Sequence, residues 1–120
     1  MTTDPLHARA VNTWARLERS GSRLATSVPV VMETFTFLER NTTRTVALRW
    51  KDSLANLRRL RVLECRRADL TASWRWFERR ELHKLSSVDA VSFVLMTKAS
   101  LREVFTFDHH FASAGFRIID

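Results

Sequence analysis

The chain has 120 residues, 45% of them apolar, and carries 20 Lys and Arg against 13 Asp and Glu, a formal net charge of +7. That length holds one domain with a real core, too little for two independent ones, and no apolar run approaches the ~18 to 20 residues of a membrane span. No basic-then-apolar leader opens the chain, its one cysteine excludes an internal disulfide, and its two glycines, two prolines and lack of repeats leave no sign of a linker or solenoid, so a cytoplasmic, compact protein is expected.

Asp4 and Pro5 start a first helix over 4–19, in which Ala10, Val11, Trp14 and Leu17 return at helical spacing and Gly21 is the stop. A short strand over 23–27 comes next. Ser27 then caps a second helix, with Pro29 in its first turn, where a missing N–H costs little. Val31, Phe35 and Leu38 form the core stripe of that helix. Glu33 lies off the stripe, beside Val30 and Phe37, an apolar setting that costs a carboxylate unless a metal or donor is near; the alternative is a solvated glutamate that helps the helix dipole.

A third, amphipathic and basic helix is expected over 43–57, with Val46, Trp50, Leu54 and Leu57 on one side. Residues 61–65 read as a strand in which Cys65 is a small buried residue rather than a nucleophile. A helix over 69–81 carries Trp74, Trp76 and Phe77 among Arg75, Arg79 and Arg80. Those aromatics suit a core or a dimer interface, or could stack bases. A fifth helix covers 87–99, a strand 103–107, a short helix 109–114 that stops at Gly115, and a last strand 116–119.

Strands alternate with helices throughout, which predicts an α/β sandwich with a parallel sheet. In such sheets ligands sit beyond the carboxyl ends of the strands. Asp89, in the first turn of the fifth helix, and Asp108, at the end of a strand, therefore belong on one rim, and two carboxylates there suggest a metal. Each also has a structural reading. Ser86 and Asp89 have the spacing of a capping box, and Asp108 can cap the helix after it. His109 and His110 are adjacent on a short helix and are expected to point apart, which argues against a zinc site.

The excess positive charge gathers between Arg40 and Lys84, including Arg58, Arg59, Arg61, Arg66 and Arg67. Such a field attracts polyanions, nucleic acid first among them, although an arginine-rich face can also be mere solvation.

The run S-x-V-D-A-x-S-F-x-x-M from Ser86, and after it F-T-F-D-x-H-F-x-x-A-G-F from Phe105, closely resembles the C-terminal half of PIN domains, the metal-dependent ribonuclease fold that includes the VapC toxins of bacterial toxin–antitoxin pairs. A weaker match continues upstream through A-T-S-V-P-V-V-M-E-T, where such proteins carry a glutamate on the helix after the second strand, here Glu33. The resemblance implies a three-layer α/β/α sandwich over 1–120, with Glu33, Asp89 and Asp108 as catalytic ligands of Mg²⁺ or Mn²⁺. It further implies RNA as substrate, a homodimer, and a cognate antitoxin whose peptide blocks the acidic groove. PIN domains of this kind open with a central strand ending in a further catalytic aspartate. This chain begins with residues that resemble the segment just after that strand, so Asp4 is not that aspartate and the domain is expected to be truncated at its N-terminus.

Clustered carboxylates cleave a phosphodiester indirectly, by holding ions that polarise the phosphate and help ionise water. With three acids in place of four, the chain as written is expected to be at best a weak endoribonuclease. A second reading is an inactive PIN remnant that binds RNA or an antitoxin. A third, a small DNA-binding regulator, fits the charge but explains neither the strand–Asp–helix ending nor the spacing of the acids.

Overall fold

The computed structural model describes residues 5–106 and 108–119. Helix α1 (Pro5–Ser20) ends at Gly21, whose φ of +69° is the left-handed conformation that glycine adopts without a Cβ clash. The expected helix start at Asp4 and strand end at Phe107 lie outside the described residues, as do the side chains of Ala10, Val11 and Trp14. Strand β1 (Leu24–Ser27) runs directly into α2 (Val28–Asn41). Ser27 is the joint: its backbone is extended, and its hydroxyl accepts from the N–H of Val30 at 3.4 Å.

Helix α3 (Arg44–Ala55) begins at Thr43, which accepts from Val46 N–H at 3.1 Å, and packs on α2. Its inward face differs from the expected stripe. Ala47 is the buried residue, while Val46 and Leu57 are 41% and 38% exposed. A helix whose main neighbour is one other helix can bury a small side chain at the closest approach and leave the flanking large ones half in water. In the same way, α2 has no fully buried residue, and its expected core residues Val31, Phe35 and Leu38 are only partly covered.

After β2 (Leu60–Leu63), α4 spans only Arg67–Ser73 and tightens into a 3₁₀ helix over Trp74–Glu78, shorter than the expected helix. The tighter winding puts Ser73 and Trp76, three residues apart, in line toward α5 (Ser87–Lys98). Ser73 is fully buried, and the Trp76 ring meets Phe93 edge-on with centroids 4.9 Å apart. Trp74 and Phe77 are left outside, 50% and 44% exposed, so they are not core. Cys65 is partly exposed rather than buried, because it lies past the end of β2 in the connection to α4.

The core is centred on α5. Ala90 and Phe93 are fully buried, and Leu82, Leu85, Met96 and Phe111 close around them. Phe93 also contacts Phe111 edge-on at 4.8 Å and stacks on Phe116 at 5.7 Å, an aromatic cluster worth roughly 0.5–1.5 kcal/mol per ring pair beyond the area it buries. The chain ends with β3 (Glu103–Val104), α6 (His110–Ser113) and β4 (Arg117–Ile118), with Gly115 at φ +104° turning α6 into β4. Both last strands are shorter than expected, since each pairs only with the other among the described residues.

All strand pairing is parallel, as the alternation of strands and helices predicts. β1 pairs with β2, Leu24 opposite Leu60 and Ser27 opposite Leu63; β3 pairs with β4, Glu103 opposite Arg117 and Val104 opposite Ile118. The two pairs are not joined to each other among the described residues. The first unit leads into the helix that carries Glu33, and the second into the turn that carries Asp108. No helix of the described residues is long and apolar enough to cross a membrane.

Candidate metal centre

Asp89 is placed by the cap of α5. Ser86 Oγ accepts from the Asp89 N–H at 3.0 Å, which starts the helix and fixes the Asp89 backbone in its first turn. Asp108 is placed by a turn of its own making. Its Oδ1 accepts from the backbone N–H of His110 at 2.9 Å, and its N–H donates to Thr106 Oγ1 at 3.1 Å. The cap position of α6 is His109, which makes no side-chain cap bond, so the capping reading of Asp108 holds only in that its Oδ1 takes the first N–H of that helix. The carboxylate is nevertheless turned toward Asp89.

One donor atom each from Asp89, Asp108 and His110 lie within 4.8 Å of one another. Burial pushes the Asp89 carboxyl up, and the charge of Asp108, the hydrogen bond the two acids share and the more distant charge of Glu33 add to it, bringing it to about 6. For Asp108 burial acts in the same direction but is outweighed by the His110 N–H, the His110 imidazole and the bond with Asp89, which hold it below the ordinary value. Two crowded carboxyls of which one holds its proton up to about pH 6 are what a cation-binding pair looks like without its cation.

Glu33 stands apart from this cluster. It is exposed on α2, close enough for its charge to be felt at Asp89 but not among the three converging donors. It lines an open groove of ≈ 590 Å³ between α2 and the start of α5, together with Pro29, Met32, Phe37, Arg40 and Val88. Met32 and Phe37 there are 65% and 62% exposed. The expected apolar setting of Glu33 is therefore a groove wall, not a buried face.

His110 is the residue that sequence reasoning sets aside as a ligand. It is 7% exposed, and its Nδ1 lies 3.0 Å from Asp108 Oδ1 but off the line needed for a hydrogen bond, so that buried nitrogen has no hydrogen-bond partner. His109, by contrast, is exposed. The two rings do not diverge as expected: their centroids are 4.6 Å apart at 36°. The legible signal is the Asp two residues before His110, since an aspartate that accepts from the N–H two positions on folds that residue back against itself. A crowded acid pair beside an orphaned buried nitrogen fits a divalent cation.

The sequence pattern of the PIN domain matches residues 1–117. The chain belongs to the PIN-domain family. Among its relatives is the 23S rRNA-specific endonuclease VapC20 of Mycobacterium tuberculosis, in strains CDC 1551 / Oshkosh and ATCC 25618 / H37Rv, each 32% identical over 116 residues, or 94% of this chain and 83% of the relative. The crystal structure of M. tuberculosis VapC20, described as a sarcin-ricin loop cleaving toxin, superposes with a TM-score of 0.77 at 30% identity, covering 95% of this PIN domain and 85% of that chain. The helix-rich α/β architecture with parallel strands is that of the family.

Proposed function

We propose that this PIN domain is a divalent-metal-dependent endoribonuclease of the VapC type, the toxin of a toxin–antitoxin pair, with Glu33, Asp89 and Asp108 as its catalytic acids and Mg²⁺ or Mn²⁺ as its ion. One observation carries the reading: Asp89 and Asp108, from different elements, converge on the carboxyl-end rim, where burial first and the neighbouring Asp108 second push Asp89 up to about 6. When bound, the ion supplies a Lewis acid for the phosphate and lowers the pKa of a coordinated water. Asp108, held ionised by the His110 N–H, gives a fixed anionic ligand, and Asp89 contributes a second once its proton has left. Glu33, across the groove on α2, closes the acidic side from a distance.

The likeness to a 23S rRNA-specific enzyme points to structured ribosomal RNA as the substrate class, held through its phosphates by the basic surface. The apolar groove beside Glu33 suits an antitoxin segment that blocks the site, and a homodimer in the cytoplasm completes the proposal. Residues 1–120 act as one domain.

The test is cleavage of a 23S rRNA fragment with Mg²⁺ or Mn²⁺, repeated in chelator and with Asp89→Asn and Asp108→Asn. Metal-dependent cuts that both variants lose are expected. Cleavage indifferent to chelator and to both substitutions would sink the proposal. The exposed position of Glu33 outside the cluster favours one second reading, an inactive domain that still binds RNA or antitoxin. Tight RNA binding with no cuts would select it.

A further inference from the structure

The Nδ1 of His110 has no hydrogen-bond partner although the residue is only 7% exposed, and it faces the pair of acids. Its 3.0 Å separation from Asp108 Oδ1 lacks the alignment of a hydrogen bond. That separation has another meaning. Two ligands at right angles on one ion, each bonded at about 2.1 Å, stand about 3.0 Å apart. The Asp108 oxygen concerned is also the one fixed by the His110 backbone N–H at 2.9 Å, so the oxygen and the nitrogen are held in register by a single short turn. The Asp108 oxygen meets Nδ1 as a charge neighbour and not in hydrogen-bond alignment, and a buried imidazole nitrogen left so is costly unless a ligand completes it.

We infer that His110 is a metal ligand through Nδ1, making the centre a mixed nitrogen–oxygen site, Asp89–Asp108–His110, rather than an all-carboxylate one. The inference rests on the metal-dependent reading above and adds a selectivity to it. Mg²⁺ takes oxygen ligands almost exclusively, whereas imidazole suits borderline cations, so the site favours Mn²⁺ and its heavier neighbours over Mg²⁺. Glu33, which lies outside the trio, is not needed for the first ion to bind.

The test reads the ion itself. Mn²⁺ bound to the full chain is examined by pulsed electron paramagnetic resonance for modulation from a directly bonded imidazole nitrogen. Mg²⁺ and Mn²⁺ affinities are measured alongside by calorimetry. The expected result is clear nitrogen modulation in the unmodified protein, retained in His109→Gln and absent in His110→Asn, which still binds Mn²⁺ through Asp89 and Asp108. His110→Asn sets an amide oxygen near the place of Nδ1, so the Mn²⁺ over Mg²⁺ preference should fall by roughly tenfold or more, in line with the loss of one specific ligand. Mn²⁺ bound through Asp89 and Asp108 with no nitrogen modulation in the unmodified protein would overturn the inference and leave the nuclease reading standing. Failure of Mn²⁺ to bind any better than to a protein carrying both Asp89→Asn and Asp108→Asn would overturn both.

Discussion

Asp89 and Asp69 are two acids that the fold treats in opposite ways, and pH separates them. Asp89 is raised to about 6 from an ordinary 3.8, so the folded, metal-free protein holds that proton more tightly than the unfolded chain does. Its contribution to stability is fully present below about pH 4 and is lost as pH rises toward about 6, after which the curve is flat. Metal affinity should climb over the same window as the competing proton leaves. Urea denaturation across that range in chelator should show this downward slope in the unmodified protein and a shallower one in Asp89→Asn; equal slopes would mean that burial and Asp108 do not raise Asp89. Asp69 is lowered, chiefly by the Lys98 ammonium at 2.6 Å and then by the Arg66 N–H at 2.8 Å. Its contribution is present above 3.8 and lost as pH falls below that value. It is 3% exposed and closes the start of α4 against the end of α5, so Asp69→Asn should cost about 2 kcal/mol, the scale of hydrogen bonds to a charged partner. Because Lys98 is 59% exposed, the ion pair alone contributes little, and Lys98→Met should cost much less than Asp69→Asn.

Among the elements, α5 decides both stability and site geometry. Its first turn holds Asp89, its middle buries Phe93, and its last turn reaches Asp69 through Lys98. Ser86→Ala removes the hydroxyl that takes the Asp89 N–H and should cost about 1 kcal/mol of stability, the usual worth of a helix cap. It should also weaken Mn²⁺ binding, since the freed first turn no longer fixes Asp89; unchanged affinity would show that the carboxylate is positioned by Asp108 alone. Caps and stops are the part of the fold most legible in sequence. Ser27 and Ser86 accept from the N–H groups their positions predict, and Gly21 and Gly115 turn the chain in left-handed conformations. Those are local decisions. The change from α4 to a 3₁₀ helix, the burial of Ala47 in place of Val46 and the brevity of β3 depend on which neighbour each element meets, and no window of sequence contains that neighbour. His110 escapes a reading of the sequence for a related reason. Its direction is set by a turn that Asp108 makes, whereas adjacent positions on a regular helix point apart.

At the scale of the molecule, burial is uneven. Outside α1, whose side chains are described only in part, the segment up to Leu63 buries just Ser27 and Ala47, whereas the segment from Arg67 onward contains Leu82, Leu85, Ala90, Val91, Phe93, Leu95, Met96 and Phe111. The two sheets fall on either side of that divide. Backbone amides in α5 should therefore resist hydrogen exchange longest, and those in α2 and α3 should exchange through a smaller opening that leaves α5 protected. One common exchange rate for α2 and α5 would show a single cooperative unit instead.

That unevenness bears on how the acidic rim is assembled. Asp89, Asp108 and His110 all ride on the well-buried part, so a first ion can be held while the other part breathes. Glu33 rides on α2, which touches α5 but buries no residue of its own. If Glu33 acts on a substrate phosphate as proposed, bringing it to bear is a docking step between two parts of one chain. A ligand that grips the groove at Met32 and Phe37 would then be expected to tighten or spread that joint and so change the cutting rate without touching an acid.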